Sequence, residues 1–190
     1  SYDPEGNWRK WFEKTGPDYP VVGVTWNDAR AYCTWYEMDL PTEAQWEYAA
    51  KGGTDNKIFP WGDEPDPERA NYRHEGENIF EGLVRLMGLR EIDTKPVGSY
   101  PPNGYGLYDM IGNVSEWCID EYSYYPGGPE ENTEDFGEKI TRGGHWDEPN
   151  AVFVRITRRS SQPPEEANYR IGFRCSRKAG ESDEFSRNDN

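Results

Sequence analysis

One short segment of the chain gathers side chains that could bind a ligand or a metal ion. His145, Asp147 and Glu148 supply one imidazole and two carboxylates beside Trp146. An imidazole with hard carboxylate oxygens suits a cationic ligand or a hard metal ion. The same residues can also be solvated loop residues whose charges are compensated by nearby cations. Those cations are Arg155, Arg158 and Arg159.

The three cysteines are the other candidates for chemistry. Cys33, Cys118 and Cys175 permit one disulfide plus a free thiol, or three thiols in a reducing compartment. No Cys-x-x-Cys pair is present, which disfavours a zinc site. The chain has two histidines, His74 and His145, so it cannot supply a three-histidine iron site by itself.

Net charge and hydropathy argue against two classes of partner. The formal net charge of -15 at pH 7 repels a nucleic-acid backbone and an anionic membrane, so we expect neither as a partner. A cation is a more natural ligand for such a chain, although acidity can also serve solubility alone. No apolar run approaches the ~18–20 residues that span a bilayer, and Ser1 opens no recognisable signal peptide.

Start signals predict two helices that would position these residues. The signals are capping boxes at Thr25 with Asp28 and at Thr42 with Gln45. We expect the first helix to bury Ala29, Cys33 and Tyr36, and the second to bury Trp46, Ala49 and Ala50 before it ends at Gly52-Gly53. A third, short helix is predicted near Trp8, Trp11 and Phe12.

Strand patterns and domain limits complete the local analysis. Residues 21–24 predict a short strand, and alternation over 152–156 and 171–175 predicts two antiparallel strands. Most of 59–102 is predicted to be loop, with an apolar patch at 79–89 that could form a short helix. We expect one domain over 20–177, a lead-in over 1–19 and a disordered tail over 178–190.

Seven motifs in register carry a family resemblance. They are PVVGVTWNDA at 20–29, LPTEAQWEYA at 40–49, FPWG at 59–62, PPNGYGLYD at 101–109, GNV with EW at 112–117, RGG at 142–144 and GFRC at 172–175. Together they resemble the formylglycine-generating enzyme (sulfatase-modifying factor) family. They also resemble its relatives: the paralogue without catalytic cysteines, the C-terminal domain of ergothioneine-type sulfoxide synthases, and the variable proteins of diversity-generating retroelements.

The resemblance implies an α+β, C-type-lectin-like fold. It predicts two helices, much irregular loop and a small twisted antiparallel sheet formed largely by the C-terminal strands. Family members usually carry several dozen residues ahead of the segment that starts at Pro20, including a strand that pairs near the last one. Because about twenty residues precede it here, we expect either a fragment or a further segment or second chain that completes the sheet.

The resemblance also implies a disulfide and a calcium site. The commonly bridged family cysteines map onto Cys33 and Cys175, which leaves Cys118 unpaired. The structural calcium loop maps onto Asp109 and the carbonyls of Met110, Gly112 and Val114, which are the hard oxygen donors that calcium prefers. An ion-free Asx turn is the alternative. A second calcium site would begin at Asn71 and Tyr72, with Asp93 as a substitute for a ligand whose spacing differs here.

The family's copper site is altered in this chain. Its two copper-binding cysteines correspond to Glu148 and Phe153, its usual serine to His145 and a frequent tryptophan to Ser115. Monovalent copper prefers soft thiolates, so we expect no copper. The altered cleft would consist of Ser115, His145, Trp146, Asp147, Glu148, Phe153 and Arg155.

These expectations favour a non-catalytic or repurposed family member. It would be a ligand- or protein-binding C-type-lectin-like module, with a diversified receptor as a subtype. The alternative is an oxidoreductase: a formylglycine-generating oxidase with an unrecognised site, or the substrate domain of a non-haem iron sulfoxide synthase. The predicted disulfide and calcium loop favour an extracytoplasmic or secreted location.

Overall fold

Three helices and one small sheet form the regular structure of the chain. A computed structural model describes residues 6–73, 94–124 and 137–177. The helices are α1 (Asn7–Thr15), α2 (Trp26–Trp35) and α3 (Glu43–Lys51), with a short 3₁₀ helix at Ala151–Val154. The strands are β1 (Ser115–Glu121), β2 (Lys139–Arg142), β3 (Arg159–Gln162) and β4 (Ile171–Gly172). This content confirms the α+β class.

Both predicted capping boxes open their helices. The Thr25 hydroxyl accepts a hydrogen bond from the Asp28 amide, and the Asp28 carboxylate accepts one from the Thr25 amide, each at 3.1 Å. Thr42 and Gln45 make the same reciprocal pair at the start of α3. Each box satisfies two backbone donors that the helix leaves without partners, which stabilises a helix by about 1 kcal/mol. Gly52 ends α3 in the left-handed conformation, with φ 57°.

The sheet is mixed, whereas the resemblance predicted an antiparallel one. Its order is β3-β2-β1-β4; β1 pairs antiparallel with β2, β2 with β3, and β1 pairs parallel with β4. The central strand β1 buries both faces. Trp117 packs among residues of α2, and Cys118 packs in a second cluster with Trp46 of α3. The sheet therefore separates two apolar cores.

Four local predictions were wrong. Residues 21–24 form no strand, and the Gly23 amide donates instead to the carbonyl of the loop residue Asn168 at 3.0 Å. Residues 152–154 lie in the 3₁₀ helix, which Asn150 caps. The alternation over 171–175 yields only the two-residue β4. Tyr36 lies at the C-cap of α2 and is 39% exposed, so it does not join the buried face.

Two buried ion networks hold the sheet against α3. Arg142 is fully buried at its side chain and donates to Glu43 (2.7 Å) and Glu47 (2.8 Å). Glu116 receives two hydrogen bonds from Arg174, each 2.6 Å, and one from the Trp46 indole at 2.7 Å. Bidentate guanidinium–carboxylate contacts fix geometry as well as charge.

Several predictions fall outside the described residues. They concern the apolar patch at 79–89, Asp93, His74 and the tail at 178–190. Among the described residues, no helix has both the length and the hydropathy that a membrane crossing requires.

Candidate functional site

A double-glycine turn after β2 builds the altered cleft. Gly143 and Gly144 both have positive φ, 90° and 68°, which favours glycine. A Cβ on Gly144 would lie 2.7 Å from the Phe153 carbonyl oxygen and 3.3 Å from Cγ of Glu148. The turn thus lies against both Glu148 and Phe153, two residues of the predicted cleft.

The cleft contains a partly buried imidazole with a defined tautomer. The Asp147 amide donates to Nδ1 of His145 at 3.2 Å, so the proton of a neutral ring lies on Nε2. Nε2 is 3.5 Å from a Glu148 carboxylate oxygen. Both side chains are more than four-fifths buried. The imidazole therefore points its N–H toward Glu148 and cannot act as a base at that atom.

Arginines from distant parts of the chain surround the two carboxylates. Arg73 donates to one oxygen of Asp147 at 2.6 Å, and Arg170 donates to the other at 2.7 Å. Arg158 acts electrostatically on Glu148 and stacks its guanidinium 5.6 Å from the centre of the Phe153 ring. The surroundings of His145 and Glu148 are thus rich in cations, which disfavours a cationic ligand or a hard metal ion at this place.

Burial shifts both titratable groups toward their neutral forms, and the arginines reinforce this shift only for His145. Burial, together with the nearby Arg170 and Arg73, lowers the pKa of His145 to about 4 against an opposing effect of Asp147. Burial also raises the pKa of Glu148, although Arg158 and Arg170 oppose that rise. Desolvation disfavours a charge on either group, and so the directions are opposite for an imidazole and a carboxyl.

The structure unites most, but not all, of the predicted cleft. Trp146 is 4% exposed and lies 6.3 Å from the Tyr169 ring. Ser115 is buried at the start of β1, where its amide donates to the Arg170 carbonyl. Arg155 is exposed and donates to the Val152 carbonyl.

Sequence analysis missed two cleft arginines. Arg73 and Arg170 lie 74 and 23 positions from Asp147 in the sequence. No local spacing could connect them.

The predicted disulfide is present, and the third thiol is buried. Cys33 and Cys175 are bonded, with their Cα atoms 5.4 Å apart, which confirms the pairing. Cys118 is free and fully buried in the core. Burial raises the pKa of its thiol well above the ordinary value, and the charged groups that act on it are Arg142, Glu116, Glu43 and Asp120. None of these four belongs to the cleft.

The predicted calcium loop is a bend that begins at the half-buried carboxylate of Asp109. Asp109 has φ 52°, unusual for a residue with a side chain, and accepts a hydrogen bond from the Gly98 amide at 2.7 Å. Burial raises its pKa. Asn71 lies against the same turn, since its carbonyl accepts from the Asn113 amide at 2.8 Å. Within the described parts of the chain, no group of three His, Cys, Asp or Glu side chains is arranged for a metal.

A groove of about 1070 Å³ lies beside α2, away from the Gly-Gly turn. Its walls come from α1, α2, the turn at 106–109 and the segment after β4. Aromatic side chains dominate it, and Trp35 is 83% exposed. Tyr32 lies 5.1 Å from Tyr36 and 5.4 Å from Phe173 between ring centres. Exposed aromatic surface of this extent is typical of an interaction site.

Comparison with known proteins places these features in context. Residues 3–179 match the family described as "Sulfatase-modifying factor enzyme 1-like domain". The chain is 37% identical over 190 residues to a formylglycine-generating enzyme of Mus musculus, covering 89% of this chain and 48% of that protein. It is 36% identical over 187 residues to the inactive C-alpha-formylglycine-generating enzyme 2 of Mus musculus, covering 90% and 55%. The chain therefore spans about half the length of these curated relatives.

A solved structure supports the same fold. The structure of PvdO from Pseudomonas aeruginosa matches with a TM-score of 0.64 and 31% identity, over 83% of this chain and 61% of that one. This similarity confirms the expected C-type-lectin-like α+β fold.

Proposed function

This chain belongs to the sulfatase-modifying factor enzyme 1-like family, and we propose that it is a non-catalytic member that binds a protein or small-molecule ligand. The observation that carries the proposal is the fate of its three cysteines. Two are joined in a disulfide and the third is buried in the core. No pair of accessible thiols is left in the chain.

Copper does not fit the residues of the cleft. The family resemblance assigns Glu148 and Phe153 to the two positions of the copper ligands, and the nearby imidazole faces Glu148. A carboxylate and a phenyl ring are poor ligands for monovalent copper, which prefers thiolates. We therefore derive no oxidation step in this cleft. The inactive relative at 36% identity gives the proposal a precedent within the family.

Mass spectrometry of a cysteine-containing sulfatase peptide tests the proposal. After incubation with the copper-loaded protein, we expect the peptide cysteine to remain a thiol. The matched variant carries Glu148→Cys together with Phe153→Cys and should gain a copper(I) site, measured by competition with a chromogenic chelator. Conversion of the peptide cysteine to an aldehyde by the unchanged protein would contradict the proposal.

We propose calcium as a structural ion of the turn at 109–114. The Asp109 carboxylate and the carbonyls of Met110, Gly112 and Val114 would hold it, with Asn71 and Tyr72 as a less favoured second position. The raised pKa of Asp109 supports this, because a cation would stabilise the charged form of that buried carboxylate. Calorimetric titration should show calcium binding that Asp109→Ala abolishes and Asp63→Ala, an exposed control, retains. Equal binding by both variants would exclude this turn.

We propose that the aromatic groove binds a further protein segment, either an upstream segment or a second chain. Its exposed Trp35 supports a docking role. If a second copy is the occupant, sedimentation should show self-association that Trp35→Glu abolishes and Ile58→Glu, another exposed position, retains. A monomer at all concentrations would favour a separate segment.

We propose an extracytoplasmic location. The Cys33–Cys175 disulfide supports it, since disulfides persist mainly in oxidising compartments. Alkylation of intact cells before lysis should leave both cysteines unmodified. Labelling of both as free thiols would contradict this location.

A further inference from the structure

The cleft beside the Gly-Gly turn holds more positive than negative charge. Three guanidiniums, of Arg73, Arg158 and Arg170, act on the described side chains around His145. Two carboxylates, Asp147 and Glu148, oppose them, and the imidazole is neutral above a pKa of about 4. Within the described chain, the group thus has a surplus of one positive charge. This is unexpected in a protein whose formal net charge is -15.

Two of the arginines are held ready for a second acceptor. Each gives a terminal nitrogen to one oxygen of Asp147, so that a single carboxylate fixes both. Their side chains remain 33% and 39% exposed. A guanidinium has five N–H donors, and among the described residues the Nε–H of Arg73 and of Arg170 has no partner. Such a fixed pair loses little entropy when it binds an acceptor.

The charge and geometry select one ligand chemistry. We propose that this cleft binds a monoanionic carboxylate, such as a glutamate or aspartate side chain of a partner peptide, through Arg170 and Arg73. Planar carboxylates match the donor fork of a guanidinium. A monoanion neutralises the surplus of one charge, whereas a dianionic phosphate would be repelled by Asp147 and Glu148. The inference rests on the proposed binding function and names its ligand class.

A blocked peptide with a single glutamate is the probe, and its glutamine counterpart is the control. Binding is followed through the arginine Nε–H signals in heteronuclear NMR. We expect those of Arg73 and Arg170 to shift with the glutamate peptide only, with a Kd on the order of millimolar. Inorganic phosphate at equal ionic strength should bind at least several-fold more weakly. Equal binding of the glutamine peptide, or tighter binding of phosphate, would overturn the proposal.

Variants with opposite expected effects separate binding from misfolding. Arg170→Gln should weaken the glutamate peptide about ten-fold, while Arg30→Gln, which removes an exposed arginine of α2, should leave its Kd unchanged. Glu148→Gln should tighten binding several-fold, because it removes a negative charge and raises the surplus to two charges while Asp147 still holds both arginines. Weaker or unchanged binding by Glu148→Gln in a folded protein would refute the inference.

Binding of the glutamate peptide and oxidation of the sulfatase peptide are independent results, so failure of either proposal can be recognised separately. A protein that oxidises the sulfatase peptide but still binds the glutamate peptide refutes the non-catalytic function and leaves the carboxylate site intact. A protein that does neither keeps the non-catalytic function and loses the carboxylate site.

Discussion

Reduction of the Cys33–Cys175 disulfide should remove a large part of the folding free energy. The bond closes a loop with a sequence separation of 142. In the chain-entropy model a loop of this length stabilises the fold by about 5 kcal/mol. Cys33 is fully buried, and a buried thiol packs as a small apolar group, so the native contacts should change little. The loss therefore comes mainly from the greater freedom of the unfolded chain.

Urea denaturation with and without reductant measures this loss. A chain of this size has an m value of about 2.5 kcal/mol/M, so the midpoint should fall by about 2 M on reduction. The double variant Cys33→Ser with Cys175→Ser should show the lower midpoint without reductant. Cys118→Ala is the matched control, because it removes a buried thiol outside the bridge. Its midpoint should fall by about 2 M on reduction, as in the unchanged protein.

Thiol counting supplies the result that would refute the reasoning. A thiol reagent should detect one reactive cysteine in the unfolded, unreduced protein and three after reduction. Three reactive thiols before reduction would show that the bridge does not form, and an unchanged urea midpoint would show that it does not stabilise. The first result would also reopen the question of copper, since free thiols would then be present.

Three further predictions test the packing and electrostatics around the cleft. Arg142→Met should lower the unfolding free energy by about 2 kcal/mol in urea titrations, because Glu43 and Glu47 lose their buried partner and keep only Arg159 and Lys51. Arg155→Met at an exposed position should cost less than about 0.5 kcal/mol. Gly144→Ala should cost about 2 kcal/mol more in calorimetry than Gly106→Ala, since both have positive φ but only Gly144 faces a carbonyl oxygen. His145 has a pKa of about 4 in the folded protein and an ordinary value of 6.5, so the unfolded chain binds more protons between pH 4 and pH 6.5. The unfolding free energy should therefore fall as the pH drops through that window, and the urea midpoint of His145→Gln should vary less across it than that of the unchanged protein.

Local signals in the sequence predicted the helices well. The capping boxes at Thr25 and Thr42 involve residues three positions apart, so their hydrogen bonds depend on little else. Strand β1 gave no such signal. Its first four residues, Ser115 to Cys118, are all buried, and a strand buried on both faces lacks the alternation on which the prediction depends.

The sequence motifs predicted which residues form the cleft, but they did not predict its net charge. Glu148 and Phe153 both lie close to Gly144, because the motif fixes the local path of the chain. Its electrostatics depend on Arg73 and Arg170, which long-range folding brings to Asp147. The expectation of a cationic ligand arose from the neighbouring acids alone, and these two arginines reverse its sign.

The family motifs specify the scaffold separately from the chemistry of the cleft. Four of the seven segments supply the two buried networks: Glu43 and Trp46 come from the second, Glu116 from the fifth, Arg142 from the sixth and Arg174 from the seventh. Removing one partner of such a network leaves an uncompensated buried charge and costs several kcal/mol, so these residues are constrained by folding alone. Glu148 and Phe153 belong to neither network. A chain can therefore keep every one of these motifs and the fold they encode while its cleft loses thiol chemistry, which is why a strong family match does not carry the enzymatic activity with it.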